Sequence, residues 1–438
     1  MVQGRIADPH RRWRVWWLPT LAALVVGVSV VWGWHIQADP NVKLGAAPLV
    51  GRWHVRFGPS LVPAGVLAAL AVWRGPALAQ RLRYWTLAFV ATAVAVAFTF
   101  LLAASDGLGH VLDPVVHPSE YWANLATLPD AGTMLHHYGT VSFLVPYSVH
   151  AKGHPPGFLL LLKALAAIGL GHPWATAALS YIGVALVVVA GLYTLRAAVG
   201  EESARRIAPF VVVVPYVVWM GTSADAFYAG VGAVGALLVV TALRQDRRAT
   251  RTALAFGAGL TFGALAFLTY GATIFGLLLV VVAVGIARHR RRALAEATIA
   301  AAAGAFVVFG AFRLAGFWWF DGLRTTRAFY WGGTAHFRPA AYFAVGNLGA
   351  ALIAVGPAVV VGISRLHDRR VWLVVGAAAL CVVAADASQY SKAEVERIWL
   401  LFYPWLVPAV ASLRRPRRWL GAQAALAVGL QVALVSKW

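Results

Sequence analysis

The chain has 438 residues, of which 61% are hydrophobic and only 12% charged, with a mean hydropathy of +0.72. That composition excludes a soluble globular domain, and the apolar runs approach the roughly 20 residues that cross a bilayer. The formal charge of +21 is not a nucleic-acid signature, because the arginines stand in short clusters between apolar runs, as in cytoplasmic loops.

Backbone groups in lipid must be satisfied within their own segment, so the apolar runs are predicted to be helices. The arginine clusters punctuate them in order: Arg5 with Arg11, Arg12 and Arg14; Arg74 with Arg81 and Arg83; Arg196 with Arg205 and Arg206; Arg244 with Arg247, Arg248 and Arg251; Arg288 with Arg290, Arg291 and Arg292; Arg365 with Arg369 and Arg370; and Arg414, Arg415, Arg417 and Arg418. If all are cytoplasmic, an even number of spans separates each neighbouring pair. The interval from Arg83 to Arg196 holds three apolar runs, at about 84–104, 157–171 and 174–195. The middle one, GFLLLLKALAAIGL, is the shortest and carries Lys163, so it is expected to be re-entrant or interfacial. The fold class expected is an all-α polytopic integral membrane protein of about 13 transmembrane helices plus that one short helix. The chain is placed in the plasma membrane, with its N-terminus inside and its C-terminus outside. A two-span extension (1–83) would precede a core (84–410), with a basic loop and last span (411–438) after it. Cys381 lies in an apolar run and is expected to be a small buried hydrophobe.

The predicted outer segments are 34–58, 105–157, 221–230, 316–339 and 386–397. The second concentrates ionisable groups: four carboxylates, six of the 13 histidines and Lys152 within about fifty residues. Such residues at a membrane are costly and default to functional candidates. Its acids are Asp106, Asp113, Glu120 and Asp130, and a carboxylate there suits a general base or a ligand for a divalent cation. Tyr121 and Trp122 follow Glu120, which suggests a short amphipathic helix at the interface. In YSVHAKGHPPGF, Pro155 and Pro156 are expected in the first turn of a helix. His150, Lys152 and His154 crowd that positive end, an arrangement suited to an anion, phosphate above all.

Three more outer segments add candidates. Glu394, Glu396 and Arg397 run straight into an apolar span, which puts Arg397 at the outer edge against the charge rule. Arg324 and Arg327 stand among aromatics in 316–339, where rings suit stacking on a sugar and guanidinium groups suit a pyrophosphate. Asp225 sits at the start of a span in TSADAFYAG, as a helix cap or a site acid.

An acidic-Tyr pair in the first large outer loop (Ser119-Glu120-Tyr121), closed by a Lys/His-Pro-Pro motif that opens a helix (Gly153-His154-Pro155-Pro156-Gly157), resembles the GT-C superfamily of membrane glycosyltransferases. The chain looks most like the glycosyltransferase family 39 branch that includes protein mannosyltransferases and aminoarabinose transferases. The Glu394–Arg397 segment, followed by IWLLFYPWL, is similar to an element of actinobacterial multi-span proteins of this type. The resemblance covers about 84–410. It implies a polyprenyl-phosphate sugar donor, a glycan, lipid or protein acceptor, and transfer on the extracytoplasmic face. It puts Glu120 in the position of the general base. The family usually has Asp-Glu where this chain has Ser119-Glu120, which leaves Asp113 and Asp106 as alternatives. His150, Lys152, His154, Arg397, Arg324 and Arg327 would hold the donor phosphate. Tyr121, Asp225, Glu394 and Glu396 complete the candidate set, and a divalent cation (Mg or Mn) is compatible with the loop acids without being required. A flippase or transporter of lipid-linked saccharide, or a non-catalytic scaffold of envelope assembly, are the alternatives. A transporter calls for charge along a path near the bilayer midplane, whereas here the polar residues collect at one face.

Overall fold

A computed structural model describes residues 9–437 of the chain, with side chains from Trp16 onward. Arg5 lies outside the described residues, as do the side chains of Arg11, Arg12 and Arg14. The described chain is a multi-pass, helical membrane protein. Its strands are four two-residue pieces: Gly45–Ala46 pairs with Leu49–Val50, and Arg52–Trp53 pairs antiparallel with Leu434–Val435.

Among the described residues, eight helices are long and apolar enough to cross a bilayer: Trp16–Ile36, Leu61–Arg81, Tyr84–Asp106, Pro173–Val199, Ala224–Arg244, Arg248–Leu268, Arg291–Leu314 and Arg369–Ser388. A ninth forms if Ala340–Val355 and Pro357–Ser364, bent by 97°, are one span. The count is lower than the roughly 13 expected because several apolar runs are broken or short. Ala272–Ala287 has 16 residues. Two other runs are mostly 3-10 turns, Pro215–Trp219 in one and Trp399–Leu401, Tyr403–Trp405 and Val407–Ser412 in the other. Pro209, Pro215, Pro404 and Pro408 lie in these two runs. Each removes a donor from the helical ladder and crowds the preceding turn, so hydropathy persists where the helix does not.

The 97° bend has a local cause. Gly356 adopts φ +76°, and Pro357 opens the second half of the pair. Backbone groups freed at a break in a membrane must find partners. The buried Gln423 side chain supplies them, donating from Nε2 to the Val355 carbonyl at 2.9 Å and accepting from Ala358 N–H at 3.4 Å.

The run after HPPG is the helix Gly157–Ala167, 11 residues long. At 1.5 Å per residue it reaches roughly 16 Å, about half the hydrocarbon thickness. The prolines precede this helix instead of lying inside it. A Cβ on Gly157 would collide with the Phe267 carbonyl at the end of Arg248–Leu268. The glycine is thus there for close backbone approach. Gly157→Ala should cost about 1–3 kcal/mol of stability, the usual penalty of overpacking, measured as a lowered unfolding temperature of the detergent-solubilised protein. A variant as stable as wild type would show that the two backbones are free to separate.

The polar segments are sorted by face. On one, Arg56 pairs with Asp106, Gln431 Nε2 donates to Ser105 Oγ at 2.8 Å, and Arg338 Nε donates to the Val42 carbonyl at 3.0 Å. Near the opposite edge, Arg205 donates to the Ala79 and Leu82 carbonyls and Arg206 to the Ala411 carbonyl. The first helices pack on late ones: Pro9–Ile36 on the bent pair, and Leu61–Arg81 on Pro416–Ala433.

Candidate functional site

Glu120 lies in a turn before the short 3-10 helix Trp122–Asn124, and no helix covers it. The expected amphipathic interfacial helix is therefore absent there: Pro118 just upstream and an Asn124 side chain bonded to the Glu120 and Tyr121 carbonyls favour a turn. Asn124 also ties this turn to YSVHAKG. Its Oδ1 accepts from Ser148 N–H at 2.8 Å and its Nδ2 donates to Ser148 Oγ at 2.7 Å. Ser148 in turn caps the five-residue helix Val149–Gly153. Tyr138 fixes the other end of that segment, donating to the Ala151 carbonyl at 2.7 Å.

This clamping brings His150 onto Glu120. His150 Nδ1 lies 2.7 Å from the Ser119 carbonyl and 3.1 Å from Glu120 Oε1, and Nε2 lies 2.9 Å from Arg397 Nη2. A guanidinium has donors and no acceptor, so Nε2 must accept. His150 is therefore neutral, with its proton on Nδ1 directed at the carbonyl and at Glu120. Burial, reinforced by the Arg397 charge, pushes its pKa well below the usual histidine range. It sits in the cluster as an oriented neutral imidazole and not as the cation expected at a phosphate.

Arg397 is the hub. It pairs through Nη1 with Asp225 and through Nη2 with Glu394 Oε2 at 2.9 Å. Glu120, Asp225, His150 and Arg397 are each only 4–9% exposed, so these interactions act with little screening. The Arg397 backbone is set by an unusual turn: Ala393 and Glu394 both adopt positive φ, +72° and +61°. Non-glycine residues hold that conformation only when their surroundings impose it. Asn347 does so, accepting from Ala393 N–H at 3.2 Å and donating to the Ser391 carbonyl and to Asp386, both at 2.9 Å.

Burial raises the Glu120 carboxyl to about 8. Arg397 pulls against this, while the negative Asp225 and Glu394 add to it. Two carboxylates and one proton-retaining acid around one arginine form a group whose charge is finely balanced.

Aromatic side chains wall the cluster. Tyr121 accepts from Tyr228 across a 3.0 Å hydroxyl pair, and its ring lies 5.6 Å from His150, 5.8 Å from His154 and 4.9 Å from Phe158 between centroids. Tyr228 was missed by sequence reasoning, although it lies three residues after Asp225 on one helix face, a spacing that could have pointed to it.

The remaining candidates lie elsewhere. Asp113 is exposed and pairs with His110 at 2.8 Å, and Asp106 pairs with Arg56, so neither joins Glu120. Glu396 is fully buried but faces the first outer segment, where Oε1 accepts from Val50 N–H at 2.9 Å. Lys152 is two residues from His150 on one turn and so points another way. Its Nζ stands 5.5 Å from the Phe329 ring centre, beside Trp319–Gly332, the helix that bears the exposed Arg324 and Arg327. Arg324 pairs with Asp321 on that helix. Among the described residues, no group of three or more His, Cys, Asp and Glu is placed to hold a metal ion. Asp225 and Glu394 are turned onto Arg397 and Glu120 onto His150, so these acids do not gather around a common cation position.

No family model and no curated protein matches this chain. Among solved structures it is similar to the Archaeoglobus fulgidus oligosaccharyltransferase, crystallised with Zn and sulfate, at a TM-score of 0.38 and 14% identity, over 74% of this chain and 49% of that one. This chain thus spans about half the length of that protein.

Proposed function

We propose that this chain is an integral membrane glycosyltransferase of GT-C type that moves a sugar from a polyprenyl-phosphate donor to a glycan, lipid or protein acceptor on the extracytoplasmic face. The observation that carries the reading is the buried cluster of Glu120, His150, Asp225 and Arg397, drawn from three segments far apart in sequence. Glu120 acts as the general base: it takes the proton of the acceptor hydroxyl as that oxygen attacks the anomeric carbon, and the bond to the lipid phosphate breaks. A single displacement inverts the anomeric centre. His150 orients the carboxyl through Nδ1–H. Both Nη edges of Arg397 are engaged by Asp225, Glu394 and His150, which suits holding and tuning the base better than gripping the donor. The leaving phosphate then falls to less buried cations, Lys152 on the turn that carries His150 and Arg324 and Arg327 on the helix packed against that turn. An exposed pair such as Arg324–Asp321 contributes little and exchanges partners easily.

On this reading the N-terminus is cytoplasmic and the chain makes thirteen passages, several of them broken.

The test is transfer from a radiolabelled polyprenyl-phosphate sugar by membranes carrying the chain. A base raised to about 8 is mostly protonated at neutral pH, so kcat/KM should climb with pH and level off above about 8. Lys152→Ala with Arg327→Ala should raise the donor KM at least about tenfold through lost phosphate contacts. A flat profile across pH 6–9 would remove Glu120 from the base role. Movement of intact donor across the bilayer without turnover would favour a transporter.

A further inference from the structure

At the edge opposite the Glu120 cluster, the structure forms a charged recess. It is an open cleft of about 190 Å³ between the end of Leu61–Arg81, the helix Glu201–Ile207 and the start of Pro416–Ala433. Its floor is apolar, including Pro76, Phe210 and Leu413, and its rim carries Arg205, Arg206 and Arg414. We propose that this cleft binds the phosphate of an anionic phospholipid, with the start of an acyl chain on the apolar floor.

The three arginines are not equivalent. Arg205 is part of the wall: its guanidinium bonds Glu201 at 2.7 Å and the Ala79 and Leu82 carbonyls. Arg206 is exposed and makes one bond, to the Ala411 carbonyl at 3.2 Å, so most of its donor fork faces outward. Arg414 is exposed, and no hydrogen bond or ion pair commits it among the described residues. Charge retention in cytoplasmic loops explains arginines at this edge. It does not require two open guanidinium groups to converge over an apolar floor. That combination matches an amphiphile with an anionic head, and basic recesses between spanning helices are a known shape for lipid headgroups. Trp73 and Trp85, 55% and 62% exposed on the flanking helices, are of the type that lies at headgroup height. The partner is taken to be a lipid and not free phosphate because the floor has nothing to offer an inorganic ion.

The experiment is native mass spectrometry of the full-length protein in detergent, titrated with phosphatidylglycerol, phosphatidylcholine or inorganic phosphate. One phosphatidylglycerol should bind in preference to phosphatidylcholine, and millimolar phosphate should not displace it. Arg206→Ala with Arg414→Ala should weaken that binding by about thirtyfold, at about 1 kcal/mol per arginine. Arg417→Ala with Arg418→Ala removes the same charge from the same edge outside the cleft and should leave binding within about twofold. Arg414→Ala alone alters only an exposed side chain, so it supplies a folded variant if the double one fails, with a loss of about fivefold expected. Equal loss in the two double variants, full binding by Arg414→Ala and the Arg206/Arg414 pair, or displacement by free phosphate would each overturn the proposal.

Discussion

Glu120→Gln should lower the transfer rate by about 10²–10⁴, the range for losing a general base, while leaving the protein at least as stable. The two outcomes separate chemistry from folding. Glutamine keeps the shape and can still accept from His150 Nδ1–H, but it cannot take a proton. The stability half follows from the sign of the shift. The folded carboxyl holds its proton up to about 8, whereas an unfolded glutamate releases it near 4.3. Between those values the folded state binds more protons, so this group's contribution to stability falls as pH rises and is lowest above about 8. The variant lacks that slope. Its unfolding temperature should match wild type near pH 5 and exceed it near pH 9, read by tryptophan fluorescence of detergent-solubilised protein. A variant with full activity would end the mechanism. One that is less stable at pH 9 would instead mean that Glu120 is ionised in the folded protein and held by Arg397.

Arg397→Ala should be damaging in a different way, costing about 3–5 kcal/mol of stability, because removing one partner leaves buried charge uncompensated. Asp225 is the acid most affected, being 4% exposed. The combination Arg397→Met with Asp225→Asn removes both charges and should recover much of that loss without recovering transfer. A double-mutant cycle built from Arg397→Met, Asp225→Asn and the combination, on unfolding free energies, then gives the coupling between the two directly. Activity stays low because His150 Nε2 loses its donor and Glu120 loses the positive charge that restrains its pKa. Additive losses in the cycle would mean that the pair does not hold the cluster together.

The membrane class was readable in the sequence because it depends on composition over long windows. The neighbourhood of Glu120, His150 and Arg397 was readable because ionisable residues are rare enough in such a chain to be noticed singly. What joins them was not. Asp225 and Arg397 are 172 positions apart, and no local pattern encodes a contact at that range. The resemblance to glycosyltransferase family 39 offered Asp106 and Asp113 as alternative bases, and only their pairing with Arg56 and His110 removes them from the cluster. The HPPG motif carries a packing role that its chemistry hid. Its chemistry invited an anion site, whereas its glycine serves the packing of two backbones. Counting continuous helices gives fewer spans than counting apolar runs for one physical reason: hydropathy reports what lipid tolerates, and proline decides whether the helix continues.

The ladder between Arg52–Trp53 and Leu434–Val435 sets a timetable for biogenesis. It continues through His54 and Arg56 N–H groups, which donate to the Ala433 and Val432 carbonyls at 2.8 Å each. The two sides are separated by about 380 residues of synthesis. At roughly 5–20 residues per second, the first side waits about 20–75 s for its partner. Throughout that interval an unpaired edge stands at the surface through which every intervening helix must be threaded. Its closure joins early and late parts of the described chain after nearly everything between them has been made.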